Sequence, residues 1–177
     1  MTVDRNWTSP APGGTLDLTT GNKVFENIWD ALISNLGHIG GTSGCIGAHA
    51  YHNAAQSINT ASETTLALNS ERWDTDSIHD TAVNNSRLTC VTPGKYQIIG
   101  RAGFAAHATG YRMLRIKLGG ATYLATTSAL GDAAVIRSME VSTIWDLAAG
   151  NYVELIALQN SGGALNVDPA EFMMVKV

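Results

Sequence analysis

The sequence predicts an all-β chain, an antiparallel sandwich or barrel, with an extended N-terminal arm and one short helix in front of it. Three observations carry this. Beyond residue 42, short runs of β-branched and aromatic residues recur, separated by glycine- and proline-containing turns, with no helical period between them. Tyr96, Ile98, Gly100, Ala102 and Phe104 fall on one face at period two. Thr92-Pro93-Gly94-Lys95, just before them, combines a proline that fixes φ with a glycine free to turn, so residues 86–103 are expected to form a hairpin.

Residues 1–20 read as an arm. Pro10, Pro12, Gly13 and Gly14 oppose regular structure, and Trp7, Leu16 and Leu18 stand as isolated apolar anchors. Residues 21–36 are the one helix. Thr20 or Asn22 caps it, Gly37 ends it, and Val24, Phe25, Ile28, Trp29, Leu32, Ile33 and Leu36 recur at helical spacing. Phe25, Trp29, Leu32 and Leu36 follow a heptad-like seam, too short to hold a coiled coil alone. Ile39-Gly40-Gly41-Thr42-Ser43-Gly44 is a flexible joint. It separates an attachment segment, 1–42, from a β-domain, 43–177.

In the domain the expected strands are Cys45–His52, Gln56–Ile58, Glu63–Leu68, Arg87–Val91, Tyr96–Ala105, Tyr111–Leu118, Thr122–Thr127, Val135–Leu147, Tyr152–Gln159 and Phe172–Val177. Two of these are apolar on both faces. Val153, Leu155 and Ala157 oppose Ile156 and Leu158, and Phe172 and Met174 oppose Met173, Val175 and Val177. A half-solvated antiparallel strand has one polar face. A second apolar face therefore implies a second buried surface, which closed symmetric association supplies. Tyr152, Ile156, Leu158, Met173 and Val175 are the candidate interface residues.

Charge and composition narrow the function. Only 15% of residues are charged, against roughly 25% in an ordinary soluble domain, which also suggests surface covered by partners. The net charge of -4, with lysines and arginines scattered, argues against a nucleic-acid partner. No apolar run approaches the ~20 residues of a membrane span, and the N-terminus lacks a signal-peptide core, so synthesis in a cytoplasm without export by the signal-peptide route is expected. Cys45 and Cys90 lack metal-ligand spacing and read as buried strand thiols. Asp74, Asp76 and Asp80, with His79, form the densest polar cluster. Calcium is one reading of it; a loop held by side-chain-to-backbone bonds and an ion pair to Arg72 or Arg87 is the other. Trp73 beside it is a core plug or a sugar-stacking platform. His49 and His52, three apart on a strand, face opposite ways. No nucleophile elbow or other catalytic spacing stands out.

Several stretches resemble one known family. SRLTCVTPGKYQIIGRAGF, VSTIWDLAAGNYVELIALQNSGGALNV and the closing PAEFMMVKV are similar to the jelly roll of the tumour-necrosis-factor and complement-globular-head superfamily. Ser70-Glu71-Arg72-Trp73-Asp74-Thr75-Asp76, AHATGYRMLRI and QNSGGALNV resemble a form found in bacteriophage and prophage virion proteins. Trp7, Leu18, Asn22, Asn27-Ile28, Leu32 and Leu36 resemble the attachment segment of phage tail and fibre proteins. The resemblance implies a homotrimer of jelly rolls displayed on a virion, as a tail-fibre or tip knob or a capsid decoration. It implies no catalysis, with residues 1–40 docking to other virion proteins. The alternative is a receptor module that binds host surface glycan through loops Ala106–Gly110, Gly131–Ala134 and Gln159–Leu165. A small hydrolase is the third reading. No cofactor is expected beyond the calcium reading.

Overall fold

The chain divides into two units, Met1–Ser43 and Gly44–Val177. The structure, a computed structural model, describes residues 45–177. The expected arm and helix, with Trp7, Leu16, Leu18, Phe25, Trp29, Leu32 and Leu36, lie outside the described residues.

The second unit is built from strands β1 (Gly47–His52), β2 (Gln56–Ile58), β3 (Thr64–Thr65), β4 (Ser70–Asp74), β5 (Arg87–Thr89), β6 (Gly94–Phe104), β7 (Tyr111–Leu118), β8 (Thr122–Leu130), β9 (Arg137–Leu147), β10 (Tyr152–Gln159) and β11 (Leu165–Lys176). They form two antiparallel sheets. Sheet A runs β4-β1-β11-β6-β9, with β2 added on β11; sheet B runs β3-β10-β7-β8, with β5 added on β10. Only β7 and β8 are neighbours both in sequence and in a sheet within β5–β11. Every other connection there crosses between the sheets, which is jelly-roll topology.

The expected hairpin over residues 86–103 is therefore corrected. β5 pairs with β10 in sheet B, while β6 pairs with β11 and β9 in sheet A. Thr92–Lys95 carries the chain across the sandwich. Tyr96 pins this crossover: its ring is fully buried and its hydroxyl donates to the Thr92 carbonyl at 2.5 Å. Burial pushes its phenol pKa up, so it stays a donor.

The period-two face of β6 packs inward. Tyr96, Ile98, Ala102 and Phe104 meet Leu114 and Ile116 of β7, Val153, Leu155 and Ala157 of β10, and Phe172 and Met174 of β11 in one core. Such aligned sheet-on-sheet packing leaves ~10 Å between backbones, filled by interdigitating side chains. Gly100 belongs to that fit: a Cβ there would lie 2.3 Å from Leu155 Cδ1.

Only the strands at residues 56–58, 111–118 and 152–159 keep their expected bounds; of the differences, those at β4, β11 and β3 have visible reasons. β4 is an edge strand of largely polar residues and needs no buried face, so periodicity does not reveal it. β11 starts at Leu165 rather than Phe172, because the ladder bulges between Val167 and Ala170 and so accommodates Pro169, which the sequence reads as a strand boundary. β3 is only Thr64–Thr65, although Leu66 and Leu68 still enter the core. The cysteines are also corrected. Cys45 is exposed just before β1, Cys90 is buried just after β5, and both are free thiols. Cys90 lies where the chain leaves sheet B, and its Sγ contacts the carbonyls of Thr92 and Leu147.

Replacing Gly100 by Ala forces a methyl against a fully buried Leu155. We expect a loss of about 1–3 kcal/mol, the usual range for core overpacking. It reads out as a lower urea midpoint with an unchanged slope.

Candidate association surface

β1, β11, β6 and β9 alternate side chains between the core and the outer face of sheet A. Their register assembles that outer face row by row. Trp73, His49, Met173, Ile99 and Ser142 lie in one row across β4, β1, β11, β6 and β9. Gly47, Val175, Gln97 and Ile144 form the row on one side of it, and Tyr51, Glu171, Arg101 and Glu140 the row on the other. The Trp73 ring lies over Gly47, where an added Cβ would come within 3.1 Å of two ring carbons. Trp73 is thus not a core plug but lies half-buried on the outer face of sheet A. It extends an apolar surface made with Met173, Ile99, Val175 and Ile144.

One ionic row borders this surface. Arg72 Nη2 donates to Glu171 Oε1 at 3.0 Å, and its guanidinium lies 4.8 Å from the centroid of the Tyr51 ring. Arg101 approaches Glu171 at 3.9 Å and Glu140 at 3.8 Å. His49 Nε2 stands 3.7 Å from Glu171 Oε2, and it is buried without a hydrogen-bond partner. The hydrogen bond from Arg72 holds the Glu171 carboxyl below its ordinary pKa. Burial lowers the His49 pKa, against the opposing pull of Glu171.

Beside this face lies a second apolar feature. β8 and β9 are the end strands of their sheets and pack side by side. Tyr123 and Leu130 on β8, Val135 and Ile136 between the strands, and Ile144 and Trp145 on β9 are all large, apolar and exposed; Leu130 reaches 76%. They run along the β8–β9 edge on different sides of it: Tyr123 and Leu130 on the outer face of sheet B, opposite Lys117 and Tyr111, and Ile144 on the outer face of sheet A, opposite Gln97.

The five interface candidates read from the sequence do not form one patch. Met173 and Val175 lie on the outer face of sheet A, while Tyr152, Ile156 and Leu158 lie on the outer face of sheet B. Ile156 is already buried, 3% exposed, beside the main core cluster rather than within it. Thr65 and Arg115 flank it in the ladder. Near it Glu63 accepts from Arg115, from Lys117 Nζ at 2.5 Å and from Tyr123 Oη at 2.7 Å. Arg115 and Lys117 both lie over the Tyr123 ring. The chain's own polar cluster thus closes over much of sheet B's second face. Towards its other end, Tyr111, Met113, Ser128, Ala129 and Leu130 line an open apolar groove.

The acidic loop does not converge on a point. Asp74 accepts from the Asp76 and His79 amides, Asp76 from the Thr92 amide, and Asp80 from the Ala82 and Val83 amides. No group of three or more acidic, histidine or cysteine side chains able to hold a metal occurs among the described residues. The expected ion pair to this loop is corrected as well: Arg72 pairs with Glu171, and Arg87 with Glu154. His79 is buried instead against Glu71 Oε1 and the Asn85 carbonyl.

Loops 106–110, 131–134 and 159–165 do meet at one end of the sandwich. His107 N donates to Asp132 O, Gly131 N to Gly110 O, and Tyr111 N to Asn160 Oδ1. Arg112, wholly buried, ties this end together by donating to the carbonyls of His107, Thr109 and Tyr111. Gln159, also wholly buried, bonds Ile58 O, Gly163 O and Ser161 N.

Sequence reasoning missed Arg72, Trp73, Ile99 and Ile144 as surface-forming residues. A signal was present: the doublets Ile98-Ile99, Ile144-Trp145 and Met173-Met174 each place one apolar side chain on either side of a strand.

No family model and no curated protein matches the sequence. Solved structures do match in fold. The globular domain of the zebrafish complement 1qA protein is 16% identical, with a TM-score of 0.57 over 75% of this chain and 97% of that one. Eiger TNF from S. frugiperda is 12% identical, with a TM-score of 0.54 over 75% and 92%. Murine APRIL is 10% identical, with a TM-score of 0.55 over 76% and 100%. The domain has the jelly-roll fold of the TNF and complement globular heads.

At Glu63, burial works to raise the pKa, but the hydrogen bonds from Lys117, Tyr123 and Arg115 carry it from 4.5 to about 2. A carboxyl lowered on folding stabilises the protein above its unfolded pKa, and that stability is lost as pH falls through the folded value. Glu63→Gln should therefore be less stable than the parent at neutral pH. The gap should close as pH drops from about 4.5 towards 2, followed by denaturant unfolding.

Proposed function

We propose that Gly44–Val177 is a non-enzymatic, self-associating display module that assembles as a homotrimer. We further propose that residues 1–40 fix it to other virion proteins. The observation that carries the self-association is the apolar outer face of sheet A, built from Trp73, Met173, Ile99, Val175 and Ile144, which would meet a different surface of the next copy. Unlike surfaces join copies head to tail, and such contacts end in a closed ring when the rotation per copy permits. A stable contact of this kind buries ~800 Å² per partner. Three-fold closure and the virion setting rest on the sequence resemblance.

The non-enzymatic reading is supported by where the reactive groups are engaged. Asp74, Asp76 and Asp80 hold backbone amides, Glu71 holds His79, and Glu63 holds two cations. Acids and bases so occupied are poor candidates for moving a substrate's proton.

The loop end favours a second reading, glycan binding. Loops prearranged by Arg112 and Gln159 lose little further entropy on gripping a ligand. Binding of the purified protein on a glycan array would support it, and loss of that binding on changing exposed His107 and Thr109 would localise it.

Sedimentation tests the main reading. Met173→Glu places a charge on the outer face of sheet A. It should weaken self-association by roughly a hundredfold, the effect of about 3 kcal/mol of unpaired buried charge. Leu158→Glu, on sheet B, should leave it unchanged. If the Leu158 variant dissociates and the Met173 variant does not, the wrong sheet has been assigned. Removing residues 1–40 should leave a soluble assembly that no longer joins particles; normal incorporation would refute the docking role.

A further inference from the structure

His49 sits in the middle of the surface proposed above, between Trp73 and Met173 in the ladder. Four charged side chains surround it. Glu171 comes from β11, Arg72 from β4 and Arg101 from β6, with Glu140 of β9 on the far side of Arg101. On its own strand, Tyr51 is the next outward residue and lies beneath Arg72. With His49 neutral, two guanidiniums balance two carboxylates, and the row carries no net charge. Glu171 is already held by both Arg72 and Arg101. A protonated His49 would find its nearest carboxylate engaged, and would leave the row with one excess positive charge. The ring is also poorly placed to be wet, since its Nε2 is buried without a partner before any second copy arrives.

We infer that self-association through the outer face of sheet A is acid-sensitive, and that His49 is the group that senses the acid. The inference rests on the self-association reading. Covering the face removes the water that could solvate an imidazolium, and repeats the excess charge once per subunit around the ring. Burial already holds the His49 pKa down in the single subunit, outweighing Glu171. A neighbouring copy adds to that effect. The assembled form therefore binds fewer protons than the free subunit. Association is at full strength above the free-subunit pKa and weakens as pH falls below it, on the acid side of the ordinary histidine value. Each pKa unit that assembly removes from His49 weakens its contact about tenfold at the acid end.

The test is sedimentation equilibrium of the full chain at about pH 7.5 and about pH 5, alongside His49→Gln, which cannot charge. Thermal unfolding of both proteins confirms that each is folded at each pH. The expected result is a parent protein that associates at neutral pH and dissociates in acid, and a variant that stays associated at both. If parent and variant weaken equally, or neither does, self-association stands and His49 is not its sensor. A parent that is a single subunit at both pH values removes the self-association reading, and this inference with it.

Discussion

β11 lies between β1 and β6 through most of its length, and everything else in the domain follows from how its side chains are shared. Ala170, Phe172 and Met174 enter the core; Glu171, Met173 and Val175 leave it on the opposite face. A sandwich covers one face of each sheet and cannot cover both. The inward set, with Tyr96 of β6 beside it, holds the two sheets together across Leu155 and Ile116 of sheet B. Met173 and Val175 of the outward set, continued by Ile99, Ile144 and Trp73, form an apolar surface that the opposite sheet does not cover. The same central strand that closes the core therefore opens a surface.

The two outer faces of the sandwich are treated differently by the chain. On sheet B, Glu63 gathers Arg115, Lys117 and Tyr123 beside Ile156, and Arg87 pairs with Glu154 under the Tyr152 ring. These long side chains cover apolar surface with their stems while their charges satisfy one another. On sheet A the charges that touch the field of Trp73, Met173, Ile99 and Val175 lie in one row, Arg72–Glu171–Arg101–Glu140, with Lys95 and Asp146 facing each other beyond Ile144. An ionic row beside an apolar field suits an interface: the apolar part supplies affinity, and the charges fix register and exclude wrong partners.

Polar side chains elsewhere organise backbone. Asp74 and Asp80 satisfy amides of the long connection between β4 and β5, and Asp76 reaches the Thr92 amide of the β5–β6 crossover. Arg112 does the complementary work at the loop end, where its guanidinium answers carbonyls that no strand can reach. A fold whose connections mostly cross between sheets has many such stranded groups.

The sequence alone determined the fold class and most of the inward face, because a strand's period is fixed by its backbone and needs no partner to be read. Tyr96, Ile98, Ala102 and Phe104 were legible for that reason, as were β2, β7 and β10 to the residue. That some strands are apolar on both sides was legible too. Which sheet each strand joins was not. A turn such as Thr92–Lys95 looks alike whether it closes a hairpin or crosses the sandwich, and pairing is settled by contacts far apart in sequence. Hence Met173 and Ile156, alike as second-face residues, lie on opposite outer surfaces, and only tertiary structure shows that one is covered by its own chain and the other belongs to an open field.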